Sequence, residues 1–89
     1  MDKKIIYSIS WHPNETKIAL VTVNGNLIIY DALKSKLLSQ ATPIEDQPSY
    51  KVAWNQLQPK HILMSSASYR VFLFEFNEKS LKLVSEYKH

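Results

Sequence analysis

The residues able to do chemistry in this sequence are histidine, serine, the acids and the aromatics, because it contains no cysteine. A zinc site or a general base needs imidazoles grouped with carboxylates. His12, His61 and His89 fall in expected turns or at the terminus, with no carboxylate at metal-ligand spacing. Ser65-Ser66 lacks the Gly-x-Ser-x-Gly setting that lifts a nucleophilic serine out of a sharp turn. A phosphate-cradling loop needs several glycines, and Gly25 is the only one. Asn14-Glu15-Thr16 matches the N-glycosylation pattern, but no secretory signal accompanies it. These residues predict no catalytic, cofactor-binding or metal site.

Binding is better provided for. Trp11 and Trp54 could stack on a ligand, yet they occupy matching places in a repeat, which favours core packing for both. Tyr69-Arg70 sets an aromatic beside a cation in a tight connection, a common composition for a binding anchor. The alternative is a turn tyrosine lying over its own sheet.

The elements that must position these side chains read as short strands. Ile5 to Trp11 alternates in the β period, and His12-Pro13-Asn14-Glu15 turns the chain. Ile18 to Val23 is rich in β-branched residues. Asn24-Gly25 then predicts a tight hairpin in which both residues take positive φ. Leu27 to Tyr30 is a third strand closed by Asp31, and Lys36 to Gln40 a fourth. Asp31 to Leu38 also holds good helix formers, so a helix there is the competing expectation. Ala41 to Ser49, with Pro43, Pro48 and the acids Glu45 and Asp46, reads as a connecting loop. The pattern then restarts, with strands over Tyr50 to Asn55, Ile62 to Ala67, Val71 to Phe76 and Leu81 to Glu86.

The restart is a true repeat. Trp11 recurs as Trp54, 43 residues on, while Ile18-Ala19 recurs as Ile62-Leu63 and Tyr30-Asp31 as Phe74-Glu75, 44 residues on. The extra residue falls in the turn between first and second strands, where insertion is cheap. Four strands in about 40–45 residues is the period of a propeller blade. The expected division is residues 1–44 for one unit and 45–89 for the other.

At these residues the chain resembles the WD40 family. Ile9-Ser10-Trp11-His12-Pro13-Asn14-Glu15, Ile18 through Gly25 and Leu27-Ile28-Ile29-Tyr30-Asp31 fit the three parts of one such repeat. Val52-Ala53-Trp54-Asn55, Ile62 through Tyr69 and Val71-Phe72-Leu73-Phe74-Glu75 fit a second. Both copies depart from the pattern. The Gly-His pair is absent, Trp-Asp survives as Tyr30-Asp31 and Phe74-Glu75, and Asn24 and Ser68 stand at the buried Asp. The resemblance implies an all-β fold of two four-stranded antiparallel blades, a non-catalytic role in protein–protein interaction within a multiprotein complex, and no cofactor. It also implies a partner-facing surface including Lys4, Asn24, Tyr50, Ser68, Tyr69 and Arg70, whose basic and aromatic character suits an acidic peptide.

Composition fits a folded soluble protein: 45% of the 89 residues are apolar and 21% charged. The apolar run at Ile5-Ile6 is too short for a signal peptide or membrane span, so an intracellular protein, cytoplasmic or nuclear, is expected. The formal charge of +3 comes from eleven basic residues scattered between Lys3 and Lys88. A nucleic-acid footprint would gather them on one face, which leaves a nucleic-acid-contacting segment as the alternative function. The third strands, Leu27 to Tyr30 and Val71 to Phe74, are apolar at both parities, so each sheet has two greasy faces. Neighbouring blades must cover them, supplied by more of the same chain, by self-association or by a partner's ring.

Overall fold

The computed structural model describes residues 5–44, 47–67 and 70–88. Eight strands follow one another in the chain: β1 (Ile6–Trp11), β2 (Lys17–Thr22), β3 (Leu27–Asp31), β4 (Lys36–Ala41), β5 (Ser49–Trp54), β6 (His61–Ser66), β7 (Arg70–Asn77) and β8 (Ser80–Lys88). They form two four-stranded antiparallel meanders, ordered β1-β2-β3-β4 and β5-β6-β7-β8.

The repeat extends to the irregularities. A β-bulge interrupts β1/β2 between Ile6 and Ser8, and another interrupts β5/β6 between Ser49 and Lys51, 43 residues on. A second pair lies at Ile29/Tyr30 in β3/β4 and at Leu73/Phe74 in β7/β8, 44 residues on. A bulge bends its strand and sharpens the local twist, so the two sheets have their curvature set at matching points.

Turn chemistry settles two sequence expectations. The segment after β3 is not helical. Asp31 Oδ1 accepts the N–H groups of Leu33 (3.0 Å) and Lys34 (3.1 Å), and Ser35 turns with φ 51°. A side-chain carboxylate competing for local N–H groups favours this turn over a helix. The β2–β3 hairpin also differs from the expected two-residue form. Thr22 C=O accepts Gly25 N–H (3.1 Å), and Thr22 N–H donates to Asn26 C=O (3.1 Å). This closes a three-residue loop in which Gly25 alone is left-handed, at φ 87°.

The two sheets lie face to face. Ala19, Val21, Leu27 and Ile29 of the first pack on Val52, Trp54, Ile62, Met64, Phe72, Phe74 and Phe76 of the second, with Leu38, Ala41, Ile44 and Leu81 at the margin. β1 and β5 run side by side along this interface. Val52 N–H donates to Ser8 Oγ (3.3 Å), Trp54 N–H to Ser10 Oγ (3.1 Å), and Trp54 Nε1 to Ser10 C=O (3.1 Å). The serines of one sheet thereby occupy edge donors of the next, which blunts an exposed strand edge.

Each sheet's other apolar face has no sheet against it and is only partly open, since Leu20 and Ile28 on the first are buried. Register places Ile9, Trp11, Ile18, Leu20, Ile28 and Tyr30 on the outer side of the first sheet, and Ile9 and Trp11 are 57% and 59% exposed. The outer side of the second carries Leu63, Ser65, Val71 and Leu73, with Leu63 42% exposed. Within these two blades the two tryptophans, both expected to pack in a core, differ in burial. Trp54 is 3% exposed because the first sheet covers it, whereas Trp11 occupies the equivalent position on a face with no sheet against it.

Candidate functional site

The strand directions bring one end of both sheets together. β1 and β5 begin there, the β2–β3 hairpin turns there, β6 ends there and β7 leaves from it. Of the residues expected at the partner-facing surface, Asn24, Tyr50 and Arg70 lie at this end. Lys4, Ser68 and Tyr69 fall outside the described residues. Asn24 is exposed at the tip of the β2–β3 loop. The loop is braced beneath it, since Asn26 N–H donates to Thr22 Oγ1 (3.3 Å) and Thr42 Oγ1 to Asn26 Oδ1 (2.5 Å). Ala67 N–H (3.0 Å) and Ser66 Oγ (3.2 Å) both donate to Pro48 C=O, tying the start of β5 to the β6 terminus.

Tyr50 is half exposed and stacks on Tyr7, ring centroids 5.8 Å apart and planes inclined by 29°. The two tyrosines are the bulged residues of β1 and β5. Sequence reasoning missed Tyr7, although its 43-residue spacing from Tyr50 was the signal. The bulges turn both rings out of the regular alternation and leave a flat aromatic pair at the rim. Arg70 Nε lies 3.6 Å from Glu86 Oε2 across β7/β8. Partly exposed pairs of this kind contribute about 0–1 kcal/mol, so an incoming carboxylate can compete for the guanidinium.

The opposite end holds a cleft of about 370 Å³ between the β1–β2 turn and the turns of the second sheet, lined by His12, Glu15, Lys17, Lys60, Phe76 and Glu78 among others. His12 does structural work here. Its Nδ1 accepts the N–H groups of Asn14 (3.0 Å) and Glu15 (3.1 Å), which leaves the neutral ring's proton on Nε2. Its ring meets Trp54 edge-on, centroids 4.7 Å apart. His61, expected in a turn, opens β6 and lies 3.8 Å from Glu75 on β7. Among the described residues no group of three or more His, Cys, Asp or Glu is arranged to hold a metal.

Lys17 links the sheets at this end, its ammonium 5.6 Å from the Phe76 ring centroid while it also pairs with Glu15. The hydrogen bond from Lys17 holds the Glu15 carboxyl below the usual carboxylate range; slight burial opposes it, and the charge of Lys17 adds to it. A folded pKa below the unfolded one means a contribution present above the unfolded carboxylate range and lost as pH falls through the folded value. Glu15→Gln should lower stability at neutral pH by less than about 1 kcal/mol, given its exposure. The gap between its urea midpoint and that of the wild type should close in acid; a gap that persists there contradicts this assignment.

No protein-family model matches the chain, and no curated protein matches it in sequence. Its likeness is to solved structures. Sqt1 of Saccharomyces cerevisiae superposes with a TM-score of 0.84 at 14% identity, over 100% of this chain and 24% of that one. The C-terminal WD40 domain of Sif2 superposes at 0.79 and 15% identity, over 94% of this chain and 24% of that one. This chain folds as two WD40 propeller blades. Raptor of Chaetomium thermophilum gives 0.81 at 13% identity, over 98% of this chain and 8% of that one. The two blades thus span a quarter or less of the length of these three structures. In WD40 terms, each sheet is one complete blade, and Trp54 sits in the contact between them.

Proposed function

We propose that these blades are a non-catalytic protein-binding platform within a multiprotein assembly, and that the end carrying Asn24, Tyr50 and Arg70 receives the partner. The supporting observation is the stacked Tyr7–Tyr50 pair, half exposed at the same end as Arg70. Flat aromatics and arginine are the residues that most often dominate binding energy, because they offer large contact areas and directional donors at low entropic cost. An acidic peptide is the matching partner: its carboxylates take over Arg70 from Glu86, and an apolar or aromatic side chain beside them lies over Tyr50. Lys4, Ser68 and Tyr69 belong to the same proposed surface by their place in the repeat.

The test is titration of a labelled acidic peptide containing an aromatic residue, followed by anisotropy. Tyr50→Ala and Arg70→Ala should each weaken binding by about tenfold, and Asn14→Ala, at the far end, should leave it unchanged. Unchanged affinity in both rim variants overturns the assignment of this end. Tight RNA binding that falls steeply with salt, in place of peptide binding, would support the nucleic-acid alternative.

A further inference from the structure

Asn24 is exposed at the tip of the β2–β3 loop, and the residue after it is the chain's only glycine. That pair has a chemistry of its own. The peptide nitrogen of a glycine has no side chain beside it, so it attacks a preceding asparagine amide more readily than any other. The remaining asparagines precede Glu15, Leu27, Gln56 and Glu78, whose side chains crowd the same nitrogen.

The fold holds the reactive nitrogen in check. Gly25 N–H donates to Thr22 C=O (3.1 Å), so the proton that must leave before attack is engaged. Attack also requires the Asn24–Gly25 peptide to rotate towards the Asn24 side chain. Gly25 is buried, and the connection between the blades crosses it so closely that a Cβ there would meet Gln47 C=O at 2.5 Å and Ile44 C=O at 2.6 Å. Three further hydrogen bonds tie the loop down: Thr22 N–H to Asn26 C=O (3.1 Å), Asn26 N–H to Thr22 Oγ1 (3.3 Å) and Thr42 Oγ1 to Asn26 Oδ1 (2.5 Å).

We propose that Asn24-Gly25 is a self-modification site, protected in the closed hairpin and converted to isoaspartate when that hairpin opens. The inference rests on the hairpin geometry and not on the partner-binding reading. In the open loop the Gly25 nitrogen loses its proton and bonds to Asn24 Cγ, the Cγ–Nδ2 bond breaks, and ammonia carries the proton away. The product is a cyclic imide. Water then adds to one of its two carbonyls. Addition at Cγ gives aspartate, while addition at the Asn24 main-chain carbonyl leaves the chain running through Cγ as isoaspartate. The main chain of the loop is then longer by a methylene, so the ties of Gly25 and Asn26 to Thr22 lose their register. A carboxylate also replaces a neutral amide at the end that holds Arg70. Loss of ammonia makes the step one-way, and the modified fraction grows with the time that this end of the blade spends locally open.

The test is to incubate the chain folded and in urea, at one mildly alkaline pH, and to separate aspartate and isoaspartate peptides by mass spectrometry after proteolysis. In urea Asn24 should convert before any other asparagine, with isoaspartate in excess, and Gly25→Ala should slow it. In the folded chain, its sheets confirmed by circular dichroism, conversion should be at least about tenfold slower, because several hydrogen bonds must break first. Thr22→Val keeps the shape of the side chain and removes the acceptor of Asn26 N–H. It should speed conversion in the folded chain by about two- to tenfold and raise hydrogen exchange at Gly25 N–H by the same factor. Equal rates in the folded chain and in urea, aspartate as the sole product, another asparagine converting first in urea, or faster conversion without faster exchange at Gly25 overturns the proposal. None of these readouts uses the acidic peptide, so failure here leaves the partner-binding end as it stands.

Discussion

Trp54→Ala should destabilise the chain by about 3–5 kcal/mol, the usual loss for a buried tryptophan, while Trp11→Ala, at an exposed site in these two blades, should change their stability by no more than about 0.5 kcal/mol. Trp54 fills the contact between the blades. Its indole N–H donates to Ser10 C=O and its backbone N–H to Ser10 Oγ, and its ring meets Phe76 edge-on, centroids 6.1 Å apart, with His12 on another side. Truncation removes that packing and takes the indole donor away from the Ser10 carbonyl. Against a net stability of about 5–15 kcal/mol, such a loss can abolish a cooperative transition at moderate temperature. Trp54→Phe, which keeps most of the volume, preserves a measurable one. Urea denaturation followed by circular dichroism compares the variants, and equal losses at the two tryptophans would refute the packing described for Trp54.

Gly25→Ala is expected to cost about 2–4 kcal/mol, from two causes that add. The φ of 87° lies in the left-handed region, which penalises a side chain. In addition, a Cβ at this position would lie 2.5 Å from Gln47 C=O and 2.6 Å from Ile44 C=O, where the connection between the blades crosses the hairpin. Both contacts are backbone atoms, so relief requires moving the connection itself. Gly25→Asn separates the causes. Asparagine tolerates left-handed φ but carries the same Cβ, so it should recover only the conformational part. Urea midpoints for both variants check this, and a neutral Gly25→Ala would show that the connection yields freely. The single glycine of the chain is thus kept at the point where a turn and a crossing segment compete for one space.

Much of the fold was legible because strand signals are local. Alternation, β-branched runs and turn residues located all eight strands to within about two residues at most ends, as in Ile62 to Ala67 against the observed β6 (His61–Ser66). The 43- and 44-residue spacings correctly implied two matching units. Where two local signals competed, sequence alone left the matter open: Asp31 to Leu38 carries helix formers, and the side-chain capping by Asp31 decides for the turn. The hairpin at Asn24-Gly25 was located correctly but expected one residue too short, because dipeptide preference says nothing of Asn26 closing on Thr22. At the candidate site, three of the expected residues lie together at one end, and the strand order dictated that placement. Tyr7 was missed because its ring is turned outward by a bulge, and a bulge is a property of paired strands that no single strand displays.

The amino-acid sequence by itself determined the β class, the number of strands, the duplication and the apolar character of both faces of each sheet, because all of these follow from periods of two residues and of about 43 to 44. Only the tertiary structure decided which face of each blade is covered. Trp11 and Trp54 are indistinguishable as residues in their repeats, yet one is sealed and the other bare, since burial depends on what stands opposite and not on the residue itself. The same holds for the edge-on contact of His12 with Trp54, which requires two blades already packed.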